Sequence, residues 1–176
     1  VATPRFQQSL ALLARPELAN KDTRREKAFV LFCLGERLNG LDRQQARSFM
    51  EQSLSLYEAL LDPWGIAQAH LFLGSLEWSA GNYELAQKSV QVSLDIQQKQ
   101  GDQWQQVDSL TMLAWIKQHL GELAEAEQLR RLALELCQQL GERIYLIYCA
   151  ASLSYTITWL GRFDEGRQWA EKSLAF

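Results

Sequence analysis

The sequence predicts an all-α chain folded as a tandem array of antiparallel helical hairpins. Three observations predict it. The first is a fixed period of 40 residues: Gly81, Gly121 and Gly161 stand 40 apart, as do Ala46, Ala86 and Ala126, with Gly166 continuing the column. Leu54, Leu94, Leu134 and Leu174 form a third column, Leu73, Leu113 and Leu153 a fourth, and Gly101 with Gly141 a fifth. Several columns sharing one period define a repeat architecture before any local propensity is weighed. The second observation is apolar spacing of three and four within each repeat, as in Phe72, Leu73, Leu76 and Ala80, or Leu110, Met112, Leu113 and Ala114, which is the helical period. The third is punctuation. Glycines such as Gly81 and Gly121 each follow a helical run, and Pro4, Pro16 and Pro63 all fall outside helix interiors.

The elements follow in order. Phe6 to Leu12 resembles Met50 to Leu56, so a helix over 5–14 is expected to be the second helix of a preceding repeat. Helices over 24–39 and 42–60 form the next hairpin. Gly40 precedes Gly81 by 41 residues, which predicts one extra residue in that hairpin's turn, where loops tolerate it. Helices over 66–80 and 83–99 flank Gly81, and helices over 103–120 and 123–139 flank Gly121. Asn82 with Glu84, and Glu122 with Glu125, place polar caps and early acids where the second helices begin. The last pair is 143–160 and 163–176, since Ser173 to Phe176 matches Ser93 to Ile96. The expected division is a single domain over 1–176. Residues 1–20 end a preceding repeat, 24–64, 65–104 and 105–144 are full repeats, and 145–176 is a partial last one. A chain cut within repeats, opening Val-Ala-Thr-Pro-Arg, is expected to be an excerpt of a longer protein. Apolar surface at its uncapped ends would favour homo-oligomers.

Composition sets the function classes. At 176 residues and 47% hydrophobic content the chain is long enough to bury a sizeable core. Eighteen Lys plus Arg against 21 Asp plus Glu, a net charge of −3, lack the basic excess that counterion release on nucleic acid needs, so no nucleic acid is expected to bind this region. Cys33, Cys137 and Cys149 are odd in number and form no C-x-x-C pair, which argues against a disulfide framework or a zinc site and for a cytoplasmic setting. Ile144 to Gly161 carries no charge, but its Tyr, Ser and Thr residues read as a soluble helix, and no membrane is expected as a partner.

No active site is legible. P-loop, dinucleotide and nucleophile-elbow motifs are absent. His70 and His119 lie in different repeats with no ligand spacing beside them; His70 reads as a packed core imidazole. Glu122, Glu125 and Glu127 read as a solvated second-helix face. Neither a cofactor, a metal nor an enzymatic activity is expected.

The columns resemble the tetratricopeptide-repeat family over nearly the whole chain. The residues that carry the resemblance are the first-helix pairs Phe32-Cys33, Leu73-Gly74, Leu113-Ala114 and Leu153-Ser154. The second-helix small residues Ala46 with Ser53, Ala86 with Ser93, Ala126 with Ala133, and Gly166 with Ser173 complete it. The sequence departs from the family in carrying Glu36, Glu77, Lys117 or Ile157 for the first-helix Tyr, in lacking a repeat-ending Pro, and in its period, which exceeds the usual ~34. The longer form, with Gly101-Asp102 and Gly141-Glu142 between repeats, is similar to sensor arms of bacterial signal-transduction ATPases and LuxR-type regulators. The resemblance implies a right-handed superhelical solenoid that binds a protein or peptide segment, or a small effector, in its concave groove. It places Arg37, Gln68, Leu71, Trp78, Asp108, Thr111, Trp115, His119, Tyr148, Tyr155 and Trp159 on that groove, along with Lys27, Val30, Leu34 and Leu38 in the first full repeat. Few Lys or Arg fall on those positions, which disfavours a clamp for a peptide's terminal carboxylate. Trp64, Trp104 and Ile144, 40 apart, are expected just before each first helix as structural filler between repeats.

Overall fold

The structure, a computed structural model, describes residues 3–176, with side chains from residue 4; the first two residues of the expected 1–20 unit lie outside the described residues. The elements are α1 (Thr3–Leu13), a single 3-10 turn (Pro16–Leu18), α2 (Arg24–Leu38), α3 (Arg43–Ala59), α4 (Pro63–Ser79), α5 (Tyr83–Gln100), α6 (Gln103–His119), α7 (Leu123–Leu140), α8 (Arg143–Trp159) and α9 (Phe163–Ala175). Among the described residues there is no strand. Each helix packs mainly on its chain neighbours, in the hairpins α2–α3, α4–α5, α6–α7 and α8–α9, while α2 also meets α4 and α4 meets α6. The result is a right-handed superhelical array in which first helices line one wall.

Backbone chemistry fixes the turns. Gly81, Gly121 and Gly161 within hairpins, and Gly101 and Gly141 between them, all have φ between 69° and 83°. There the next N–H reaches back to the helix, as Asn82 does to the Glu77 carbonyl at 2.9 Å and Asp102 to Gln97 at 3.0 Å, the Schellman closure that glycine permits. Asp42 and Asp102 then cap the following helices by accepting from the Gln45 and Gln105 amides at 2.9 and 3.2 Å. Pro63 sits in the first turn of α4, capped by Asp62, so that helix begins three residues earlier than the apolar period alone predicts.

Leu61 occupies the column of Gly101 and Gly141 and makes the same closure at φ 51°, with Asp62 donating to the Tyr57 carbonyl at 3.0 Å. A left-handed conformation costs an L-residue about 1–2 kcal/mol, and Leu61 is 86% exposed, so no burial offsets it. Leu61→Gly is therefore expected to stabilise the fold by about 0.5–1 kcal/mol after glycine's larger unfolded-state entropy is subtracted, read as a higher denaturant midpoint with unchanged slope.

The small columns mark where backbones meet. Ala46, Ala86 and Ala126 are fully buried. A Cβ on Gly74 would stand 3.2 Å from the Ala86 carbonyl oxygen, and one on Gly35 would stand 3.2 Å from that of Ala46. Ser154 donates to the Gly166 carbonyl at 2.6 Å. The residue of α2 equivalent to Gly74, Ala114 and Ser154 is thus Gly35, and its preceding leucine is the fully buried Leu34. This corrects the Phe32-Cys33 pairing. Gly40 follows Gly35 by five residues where Gly81 follows Gly74 by seven, so α2 is shorter past the crossing while its turn is longer.

Candidate functional site

The first helices α4, α6 and α8 enclose an open cavity of about 680 Å³ lined by Leu71, Trp78, Asp108, Thr111, Met112, Trp115, Ile144, Tyr145 and Tyr148. Its position follows from the repeat. Residues at one register of three successive first helices converge on the inner wall, and here that register is rich in aromatics. Trp115 donates its indole N–H to the Tyr148 hydroxyl at 3.3 Å. Beyond the cavity the aromatic wall continues: Trp115 packs on Tyr155 with ring centres 5.8 Å apart, and Tyr155 edges Trp159 at 6.0 Å. Tyr148, Tyr155 and Trp159 are 49%, 44% and 60% exposed, a large apolar area to leave in water.

Of the residues the sequence placed on this wall, Leu71, Trp78, Asp108, Thr111, Trp115 and Tyr148 come together around the cavity. Tyr155 and Trp159 extend the wall past it. Gln68 is half-buried, does not line the cavity, and is bonded to Gln105 of the next first helix. His119 is exposed and lies off the cavity, stacked on Tyr83 at 4.9 Å and edged by Trp78 at 5.6 Å. Arg37 is exposed and does not line the cavity; with Gly35 as the crossing residue it takes the position of the buried Leu76, Ile116 and Thr156, and the wall position of Leu71 belongs instead to Phe32. Leu34, expected on the wall, is wholly buried for the same reason.

Met112, Ile144 and Tyr145 line the cavity unforeseen. Trp64, Trp104 and Ile144 stand within the first turns of α4, α6 and α8, not before them, and are 40%, 41% and 78% exposed. Ile144 faces the cavity instead of filling a gap, while Trp104 does pack between repeats, meeting the Tyr145 ring of the next first helix edge-on at 5.1 Å.

Behind the wall lies Arg130 of α7, 1% exposed, its guanidinium 4.3 Å from the centre of the Trp115 ring. Nη2 donates to Gln118 at 3.2 Å; Nε and Nη1 are buried with no partner. Burial pushes its pKa down to about 10. Cys137 and Cys149 are free, buried thiols with sulfurs 3.6 Å apart. Among the described residues no three His, Cys, Asp or Glu side chains converge as a metal site, and no helix is long and apolar enough to cross a membrane. His70 is half-buried and its pKa is lowered by burial. The acidic face of α7 is paired rather than free: Glu125 meets Lys117 at 2.8 Å, Glu122 meets the same amine, and Glu127 meets Arg131 and Arg162 at 2.7 Å.

An all-helical array with this inner wall has the fold of a tetratricopeptide-repeat solenoid. Residues 65–139 match the family described as tetratricopeptide repeat. Solved structures agree over almost the full chain: aspartyl phosphate phosphatase F from Bacillus subtilis (16% identity, 99% of this chain and 45% of that one, TM-score 0.85); a Rap protein complexed with competence and sporulation factor (17%, 99% and 48%, 0.83); and a signal-transduction ATPase with a tetratricopeptide repeat sensor from Pyrococcus horikoshii (18%, 96% and 26%, 0.79). At these identities the likeness is one of fold. The chain spans about half the length of the first two and about a quarter of the third. No match was found among the curated proteins.

Proposed function

We propose that this chain is a non-catalytic binding module whose aromatic groove takes a protein or peptide segment, or a small effector, as the sensor or interaction region of a larger bacterial regulatory protein in a reducing, cytoplasmic setting. The observation that carries this reading is the open cavity of about 680 Å³ walled by Trp78, Trp115, Tyr145 and Tyr148. Aromatic side chains in a recess supply contact area at low entropic cost and dominate recognition energetics. Two proteins of the same fold give the reading context: one is complexed with a factor and one carries a repeat sensor. The test uses peptides selected from a random heptapeptide phage library on the wild-type protein. Trp115→Ala and Tyr155→Ala are each expected to weaken a selected peptide about tenfold or more, the loss of one hot-spot ring, with helical circular dichroism intact. Unchanged affinity in both variants sinks the groove. The alternative, a self-association scaffold, has the exposed Phe163 and Leu174 of α9 in its favour, 69% and 88% exposed, and sedimentation at several concentrations separates it.

A further inference from the structure

Asp108 is the one charged residue among those that line the cavity. It opens onto the groove from α6, yet its surroundings are crowded enough that burial raises its pKa, with the Tyr145 hydroxyl pulling the other way as a donor to the carboxylate. Among the described residues no Lys or Arg pairs with it. The guanidinium of Arg130 is sequestered against the Trp115 ring and is not among the lining residues. The cavity therefore combines a carboxylate that lacks a cationic partner with the ring systems of Trp78, Trp115 and Tyr148.

That combination selects the charge of what enters. A neutral apolar occupant would displace water from Asp108 and leave its charge unmatched, and an anionic occupant would meet like charge; both cost free energy. A cation gains twice, from the carboxylate and from the negative faces of the rings. The lysine and arginine side chains also carry an apolar stem that suits the remaining lining of Leu71, Met112 and Ile144. We propose, resting on the groove reading above, that the occupant is a peptide segment presenting one basic side chain to Asp108 between apolar residues.

The random heptapeptide library is selected in parallel on wild-type protein and on Asp108→Asn, and the resulting synthetic peptides are titrated calorimetrically. Asp108 is exposed, so the variant retains the fold, and its melting curve verifies this. Binders selected on the wild type are expected to be enriched in Lys or Arg flanked by apolar residues. Replacing that residue with norleucine should weaken binding to the wild type about tenfold or more and to Asp108→Asn by less than about twofold. Selected binders without a basic residue, or a norleucine penalty equal in both proteins, overturn the inference while leaving the groove reading standing if Trp115→Ala still weakens them. If no selected binder depends on Trp115, the groove reading itself has failed.

Discussion

Arg130→Met is expected to stabilise the fold by about 1–3 kcal/mol, because it exchanges a buried, poorly paired charge for an apolar stem of similar shape. Position 130 belongs to a column with Met50 and Val90, both fully buried across the hairpin from Gly35 and Gly74. Arg130 fills the same place against Ala114, and its guanidinium then has only Gln118 as a hydrogen-bond partner and the Trp115 face as a counter-surface. Among the described residues no carboxylate pairs with it. A cation–π contact returns about 1–2 kcal/mol when desolvated, whereas lowering the pKa from 12.5 to about 10 corresponds to a charging penalty on the order of 3 kcal/mol. Desolvation wins.

The sign with pH follows. A base whose folded pKa lies below its unfolded one destabilises the fold while both states are charged, and the penalty is relieved as pH rises above about 10. The gain of Arg130→Met over the wild type should therefore be full at neutral pH and shrink at strongly alkaline pH. Paired urea titrations measure both. A variant less stable than the wild type at pH 7 would mean that the contact with Trp115 outweighs the buried charge.

Hairpins, their order and most helix ends were legible because glycine, proline and the period of 40 residues act locally and repeat. What failed was the register of α2. The turn glycines Gly40 and Gly81 suggested aligning Phe32 with Leu73, but helix crossings are fixed where backbones touch, and the small residue that touches Ala46 is Gly35. Two opposite length changes, in the helix end and in the turn, hide this from a single spacing. Arg37 shifts register with it and does not line the cavity. Six wall residues from α4, α6 and α8 did converge on the cavity, since that register is undisturbed. Ile144 was missed because it shares a period with Trp64 and Trp104, and a period says which residues are equivalent without saying whether neighbours cover them. Arg130 did have a signal in the sequence: a charge in a column otherwise held by Met50 and Val90.

Gly65→Ala should destabilise the protein by about 1–3 kcal/mol, even though alanine is the better helix former by about 1 kcal/mol. A Cβ at Gly65 would fall far inside contact distance of three carbons of the Tyr57 ring, and Tyr57 is 2% exposed with no room to swing away. The equivalent positions 40 and 80 residues later are held by Gln97 with Gln105 and Cys137 with Tyr145. A large residue on the second helix faces glycine on the next first helix in one case, and a small one faces tyrosine in another. The bulk of the pair passes from the second helix to the first between these repeats, as close packing favours. This makes the prediction separable from helix propensity in a double-mutant cycle. In a Tyr57→Leu background, itself destabilised by the lost ring, Gly65→Ala should become neutral or stabilising, because the space its methyl needs has been vacated. Equal effects of Gly65→Ala in both backgrounds would show that the Tyr57 ring does not set the spacing between α3 and α4.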